Sequence, residues 1–319
     1  MTRTRICRAH AALLALLSTS AACASARLTA LPEQAGYIDA EQGVRLHYEV
    51  WGRGSDTTII PFGTILSAEL RELGSGQTTL IFYDPRSRGR SSSVADSTRL
   101  GLELDVQDIE TVRRHFSVSR PSLIGFSYLG AVVALHASRH PDAVRRLVLI
   151  APLAPTAAVA AAAQRTAVGR LDSAAMATLT RATAGPASSP AEDVADCRAY
   201  WGALMPIYAG TPAGAARSTS TLAPTCDLPN ERPRSFTRVL RHVFATAGAW
   251  DWRDDARRIT APTLVIQGDA DLVAPAEGGY EWARLITSAR LVRVRGSGHM
   301  VWAEQPDAVR RAIREFYAY

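Results

Sequence analysis

Ser127 stands at the turn of 120-RPSLIGFSYLGAVVALHASRHP-141, a stretch that reads as a buried strand, a sharp turn and a helix. Residues 120–124 rise into an apolar run, Gly125-Phe126-Ser127-Tyr128 turns the chain, and 131–139 is a helical run that stops before Pro141. A serine at such a tip is held clear of the sheet and close to a helix N-terminus. There, free N–H groups and the positive dipole end favour a developing anion. The chemistry this allows is nucleophilic attack by a hydroxyl. That attack needs a base to take the proton, an acid to fix the base's tautomer, and donors aimed at the oxyanion.

The elements that must position such a group alternate in type along the chain. Residues 36–52 read as two alternating strands around a Gln-Gly turn, 57–61 as a third strand and 78–83 as a fourth. Helical periodicity covers 102–116, with Leu102, Val106, Ile109, Val112 and Phe116 on one side. After the Ser127 strand and helix come strands at 146–151, 262–268 and 289–296, then a last helix at 306–317. Near-continuous apolar strands alternating with helices imply a mostly parallel sheet covered on both faces. From 153 to about 250 the composition turns to Ala, Thr, Pro and Gly, with helical runs near 156–168, 191–209 and 234–246 and no buried strand. This insertion is expected to be a helical cap over the C-terminal edge of the sheet, where open α/β folds bind ligands. The domains expected are a leader at 1–26, core at 27–152, cap at 153–250 and core again at 251–319.

Bulk properties set the class. The chain has 319 residues, 47% of them hydrophobic and 21% charged, and a formal net charge of +6, as a folded globular protein would. Every basic residue is Arg, so lysine Schiff-base chemistry is excluded. Arg3, Arg5 and Arg8 precede an apolar run at 11–17 and the small-x-small pattern Ala24-Ser25-Ala26. This has the form of a signal peptide cleaved near Ala26, too short for a stable membrane span. The protein is therefore expected to be secreted or periplasmic. The alternative is lipid attachment at Cys23 in Ser20-Ala21-Ala22-Cys23, which would place it at a membrane surface. Without the leader the charge excess is small, and no nucleic-acid partner is expected. Cys197 and Cys226 remain, 29 positions apart in an oxidising compartment, and are expected to form a disulfide rather than a metal site.

The turn at Ser127 resembles the G-x-S-x-G elbow of the α/β-hydrolase family, with Leu129 at the second glycine position and Gly130 after it. Gly268-Asp269-Ala270-Asp271-Leu272-Val273-Ala274-Pro275 is similar to that family's G-x-x-D-x-x-x-P. Gly296-Ser297-Gly298-His299 through Glu304 and Pro306 is similar to its G-x-G-H-x-x-x-x-E-x-P. Tyr83-Asp84-Pro85-Arg86-Ser87-Arg88-Gly89-Arg90-Ser91 resembles its Y-D-x-R-G-x-G-x-S, with Ser87 replacing one glycine. The resemblance covers 36–152 and 251–319 and is greatest to capped members such as proline iminopeptidases and esterases.

The resemblance implies an α/β-hydrolase fold with an inserted cap and a serine-hydrolase site. Ser127 would be the nucleophile, His299 the base and Asp271 the acid, with Asp269 a loop-bonding carboxylate. The oxyanion donors would be the backbone N–H groups of Tyr128 and of Thr64, in Phe62-Gly63-Thr64 where the family has His-Gly. Asp84 and Arg86 would be structural; Arg86, Arg88 and Arg90 as an anion site is the alternative. The other histidines, His47, His115, His136, His140 and His242, read as surface or core residues. A serine at the elbow argues against the epoxide-hydrolase and dehalogenase branches. No dinucleotide or phosphate-cradling glycine pattern is present, so no cofactor is expected.

The substrate is expected to be a small molecule or short peptide, cleaved at an ester or amide bond. An aminopeptidase would need a carboxylate for the free ammonium, and Glu192, Asp193, Asp196, Asp227 and Glu231 of the cap are candidates. A non-catalytic ligand receptor and a cofactor-free carbon–carbon bond hydrolase are the other readings.

Overall fold

The computed structural model describes residues 31–185, 187 and 189–318. The leader, with the expected cleavage near Ala26 and the alternative at Cys23, lies outside the described residues. Gln34–Tyr319 is one compact unit.

The unit is built on an eight-stranded sheet in the order β1-β2-β4-β3-β5-β6-β7-β8. The strands are β1 (Gln34–Asp39), β2 (Arg45–Trp51), β3 (Asp56–Pro61), β4 (Thr78–Tyr83), β5 (Ser122–Phe126), β6 (Leu147–Ile150), β7 (Thr263–Gly268) and β8 (Ala289–Val294). β1 and β2 are antiparallel to each other, and β2 is antiparallel to β4; all other pairings are parallel. Every residue of β5, β6 and β7 is buried, as near-continuous apolar strands with both faces covered must be. The edge strand β8 is instead largely open to solvent and carries Arg290 and Arg293, charges that discourage further strand pairing.

The helices of the sheet layers are α1 (Gly63–Leu70), α2 (Leu102–His115) and α3 (Tyr128–Arg139). Between β6 and β7 come α4 (Ala157–Val168), α5 (Ser173–Thr183), α6 (Pro190–Tyr208), α7 (Pro212–Leu222) and α8 (Pro233–Ala247). Then follow α9 (Arg253–Arg258), α10 (Ala276–Leu285), α11 (Val301–Glu304) and α12 (Pro306–Tyr317). Helices α2, α3, α9 and α10 pack in a row, and α1 packs with α12. Among the described residues the inserted segment contains no strand, only an isolated bridge between Thr156 and Asp251. Cys197 of α6 and Cys226, in the turn after α7, are joined as the expected disulfide.

The helices differ from the sequence reading in several places: α5, α7, α9 and α10 are additional to the helical runs it named, and two differences bear on the site. Helix α3 begins at Tyr128 rather than 131, so Ser127 is itself the residue flanking the first turn. Helix α1 was not foreseen: it follows β3 at once, and its preceding residue Phe62 has no side chain able to cap it.

Candidate active site

Three elements bring Ser127, His299 and Asp271 together. Ser127 follows β5 in a conformation with φ 54 and ψ −126, a backbone that a non-glycine residue adopts only under strain. The turn closes so tightly that a Cβ at Gly125 would lie 2.3 Å from the carbonyl oxygen of Leu129. Glycine is therefore required at 125, whereas the Leu129 side chain packs into the core and the site tolerates it. Gly130 backs onto Pro152. The serine carbonyl accepts the N–H groups of Gly130 and Leu153, which fixes the turn from both sides.

His299 lies in the loop after β8. Its Nδ1 is 3.0 Å from Asp271 Oδ2 and its Nε2 is 2.9 Å from Ser127 Oγ. An ionised carboxylate only accepts, so Nδ1 carries the proton, and Nε2 is left to accept from the serine hydroxyl. The imidazole is buried against the rings of Phe126, 4.9 Å away, and Tyr208, 5.4 Å away. Asp271 is held in the loop after β7. Its Oδ1 accepts the N–H groups of Val273 and Ala274, both at 2.9 Å, and its Oδ2 also accepts from Gln267 Nε2 at 3.0 Å. Asp269 accepts the N–H of Gly296 at 2.7 Å, so it ties two loops and stands outside the line.

The histidine loop is docked on the inserted helices. The N–H of His299 donates to the carbonyl of Tyr208 at 2.7 Å, at the end of α6. Glu304 accepts the N–H of Gly298 at 2.8 Å through Oε1 and that of Gly210 at 2.9 Å through Oε2. The approach is close enough that a Cβ at Gly298 would lie 2.5 Å from the Tyr208 oxygen. Burial pushes the Glu304 carboxyl above its ordinary range, while the two N–H groups pull it back. None of these contacts has a sequence signature beyond the glycines and the Glu of the loop pattern.

The turn after β3 requires a correction. Thr64 does not offer a free N–H: that group donates to Asp84 Oδ1 at 2.7 Å, and the Thr64 hydroxyl donates to Oδ2 at 2.6 Å. Phe62 cannot cap α1, so the carboxylate at the end of the adjacent strand β4 does, at the positive end of the helix. The donor assignment therefore fails at Thr64. Tyr128 N–H, in contrast, opens α3 and is among the N–H groups a helix start leaves without an intrahelical acceptor.

The loop 84–91 is held through side chains. Arg86 Nε and a terminal nitrogen bind Asp108 at 2.7 and 2.8 Å. Ser91 Oγ donates to the Asp84 carbonyl at 2.6 Å. Tyr128 hydroxyl donates to Asp105 Oδ2 at 2.8 Å. Burial, and then Asp108 nearby, raise Asp105 to about 7. Among the remaining histidines, His136 is buried with Nε2 2.8 Å from Glu110, and burial lowers it to about 4.

The cap acids are matched with arginine. Asp193 binds Arg232 at 3.1 Å and Arg234 at 2.8 Å; Asp196 binds Arg234 at 2.9 Å and lies 3.6 Å from Arg181. Asp227 is 3.8 Å from Arg198 at the surface, and Glu231 is 3.6 Å from Arg88. Glu192 is exposed in the first turn of α6.

A family model described as the alpha/beta hydrolase fold matches residues 66–306. A serine hydrolase of Mus musculus is 28% identical over 117 residues, which are 34% of this chain and 40% of that protein. A proline iminopeptidase of Saccharolobus solfataricus is 22% identical over 284 residues, 86% of this chain and 89% of that protein. Among solved structures, the enol-lactonase of Burkholderia xenovorans LB400 superposes with a TM-score of 0.67 at 22% identity, over 89% of this chain and all of that one. So the chain spans well under two thirds of the mouse protein but nearly the whole of the iminopeptidase and the lactonase.

Proposed function

The chain belongs to the alpha/beta hydrolase fold family, and from that premise we propose that it is a serine hydrolase cleaving an ester through Ser127, His299 and Asp271. The observation that carries this reading is the line Ser127 Oγ, His299 Nε2, His299 Nδ1, Asp271 Oδ2, with gaps of 2.9 and 3.0 Å. In this mechanism the Ser127 oxygen attacks the acyl carbonyl as its proton passes to His299 Nε2. The imidazolium, stabilised by Asp271, returns the proton to the departing alkoxide. Water then enters, gives a proton to the same nitrogen and releases the acid from the acyl-enzyme.

The oxyanion is held by the N–H of Tyr128 and, in place of Thr64, by the N–H of Gly63. Gly63 opens α1 after β3 as Tyr128 opens α3 after β5, and β3 and β5 are neighbours, which supports Gly63 as the second donor. A Cβ at Gly63 would lie 2.9 Å from Phe82 Cβ, which keeps this position a glycine.

An ester is favoured over an N-terminal peptide bond by the arginine partners of Asp193, Asp196 and Asp227. A carboxylate already matched by a guanidinium has little left for a substrate ammonium. The inserted helices act as a cap that shapes the pocket, since Tyr208 touches His299. We place the activity outside the cytoplasm, secreted or periplasmic, with lipid attachment at Cys23 as the alternative. The leader and the Cys197–Cys226 disulfide support this.

Replacing Ser127 by Ala tests the proposal. Hydrolysis of p-nitrophenyl esters should fall by about 10³-fold or more, with the melting temperature unchanged. Activity within tenfold of wild type would mean that another group carries the reaction.

A further inference from the structure

Arg88 and Glu231 form a buried pair that the relay does not use. Of the arginines in 84–91, Arg86 is engaged by Asp108 and Arg90 lies at the surface, 3.7 Å from Glu49. Arg88 lies between core and insert: its guanidinium carbon is 4.5 Å from the ring centre of Phe62 and 4.5 Å from that of Phe236. Arg88 is 7% exposed and Glu231 2%. Yet Arg88 Nε stands 3.6 Å from Glu231 Oε1, too far for a hydrogen bond, and that oxygen takes the N–H of Gly89 at 2.6 Å instead. Arg88 Nε and Glu231 Oε2 have no hydrogen-bond partner among the described residues.

The gap is not slack in a loose region. Asn230, next to Glu231, donates to the carbonyls of Gly89 at 3.2 Å and Ser91 at 2.7 Å and accepts from Ser93 Oγ at 2.7 Å. A region so fully bonded leaves one buried donor and one buried acceptor open, at a cost that calls for a partner.

The place of the pair in the fold indicates which partner. Strands β4, β3 and β5 lie side by side, Phe62 directly follows β3, and Ser127 directly follows β5. Neighbouring strands are about 5 Å apart. Arg88 thus stacks on Phe62 at the end of β3 and on Phe236 of the insert, and its charge acts on Asp105, the carboxyl that holds the hydroxyl of Tyr128, the residue after Ser127.

We propose that Arg88 and Glu231 select the substrate by holding a neutral group that both accepts and donates a hydrogen bond, a primary carboxamide or a hydroxyl, on the ester that Ser127 attacks. The proposal rests on the serine-hydrolase reading. The carboxamide oxygen accepts from Arg88 Nε–H and its N–H donates to Glu231 Oε2. A neutral group preserves the charge balance of the pair. A carboxylate would add an unmatched negative charge beside Glu231, and an ammonium an unmatched positive charge beside Arg88. An alkyl group would leave both polar atoms unpaired.

The test uses p-nitrophenyl esters of matched length whose acyl chains end in methyl, carboxamide, carboxylate or ammonium. kcat/KM is measured for the wild type, Arg88→Met and Glu231→Gln, with the rate of fluorophosphonate labelling as an independent measure of the serine. The carboxamide ester should exceed the methyl ester by about tenfold or more on the wild type, with both charged esters below it. In either variant the preference should collapse while labelling persists. Equal rates for methyl and carboxamide on a normally labelled wild type would overturn the proposal, water then being what fills the pair. Preference for the carboxylate or the ammonium ester would overturn it too. No labelling and no hydrolysis of any ester would remove the serine-hydrolase premise itself. If a variant fails to fold, the wild-type ratio alone decides.

Discussion

Two strand-to-helix turns stand side by side at the C-terminal edge of the sheet, and they solve the same backbone problem differently. After β5, Ser127 takes φ 54 and α3 begins; after β3, Phe62 takes φ 75 and α1 begins. Each turn holds a non-glycine residue at positive φ, and each points a helix N-terminus toward the same edge. At α3 no side chain caps the helix start, and its positive end lies beside the hydroxyl that would become the nucleophile. At α1 the Asp84 carboxylate occupies it through both the N–H and the hydroxyl of Thr64. An open helix start can receive a charge that develops during reaction, whereas an occupied one becomes a rigid wall. The first turn leaves its helix start open around Tyr128, whereas at the second Asp84 has taken Thr64 and only Gly63, ahead of it, is left as the proposed donor.

The comparison can be broken most severely at Gly125. Gly125→Ala drives a Cβ into the Leu129 carbonyl, so the elbow cannot close. Ester hydrolysis should fall by about 100-fold or more, with a lower melting temperature, measured by steady-state kinetics and calorimetry. Reduction of Cys197–Cys226 acts within the inserted segment, outside both turns. For a closed loop of 29 residues it should cost about 3 to 4 kcal/mol in denaturant unfolding, without altering the labelling of Ser127 in protein that stays folded.

Asp84→Ala empties the occupied helix start and leaves the Thr64 N–H without its acceptor. Unfolding free energy should drop by about 3 kcal/mol, read from urea titration. Thr64→Ala keeps the N–H bond and loses only the hydroxyl, so about 1 kcal/mol is expected.

Asp105 sharpens the comparison through pH, because it fixes the Tyr128 hydroxyl behind the open turn. Burial raises its folded pKa to about 7, well above the ordinary carboxylate range. The folded state thus binds the proton more tightly than the unfolded chain. The resulting stability is present in full below about 4 and is lost as pH rises through about 7. Asp105→Asn should flatten that decline, seen by comparing unfolding free energies at pH 5 and pH 8.

The parts of the molecule written in local pattern were readable from the sequence. The strands are apolar runs of the right length, and Ser127, Asp271 and His299 sit in short glycine-marked loops that follow them. The elbow also tolerates Leu129, because the tight contact falls on Gly125 and on the backbone of 129, not on its side chain. The parts set by neighbours in space were not readable. Nothing in Phe62-Gly63-Thr64 announces a carboxylate arriving from the end of β4, so the sequence alone offers Thr64 as a free donor. Helix α1 was missed for the same reason, since its cap lies 20 residues away in Asp84. The arginine partners of the cap acids, and the pairing of Arg88 with Glu231 across 143 positions, likewise follow only from the packed chain.

The central claim is that Ser127 is an activated nucleophile. The most direct measurement is the intact mass of the protein after treatment with a fluorophosphonate, with Ser127→Ala treated alongside. A single adduct on the wild type that is absent from the variant is the predicted result. An unmodified wild-type protein, folded by calorimetry, or an adduct that persists in the variant, would contradict it.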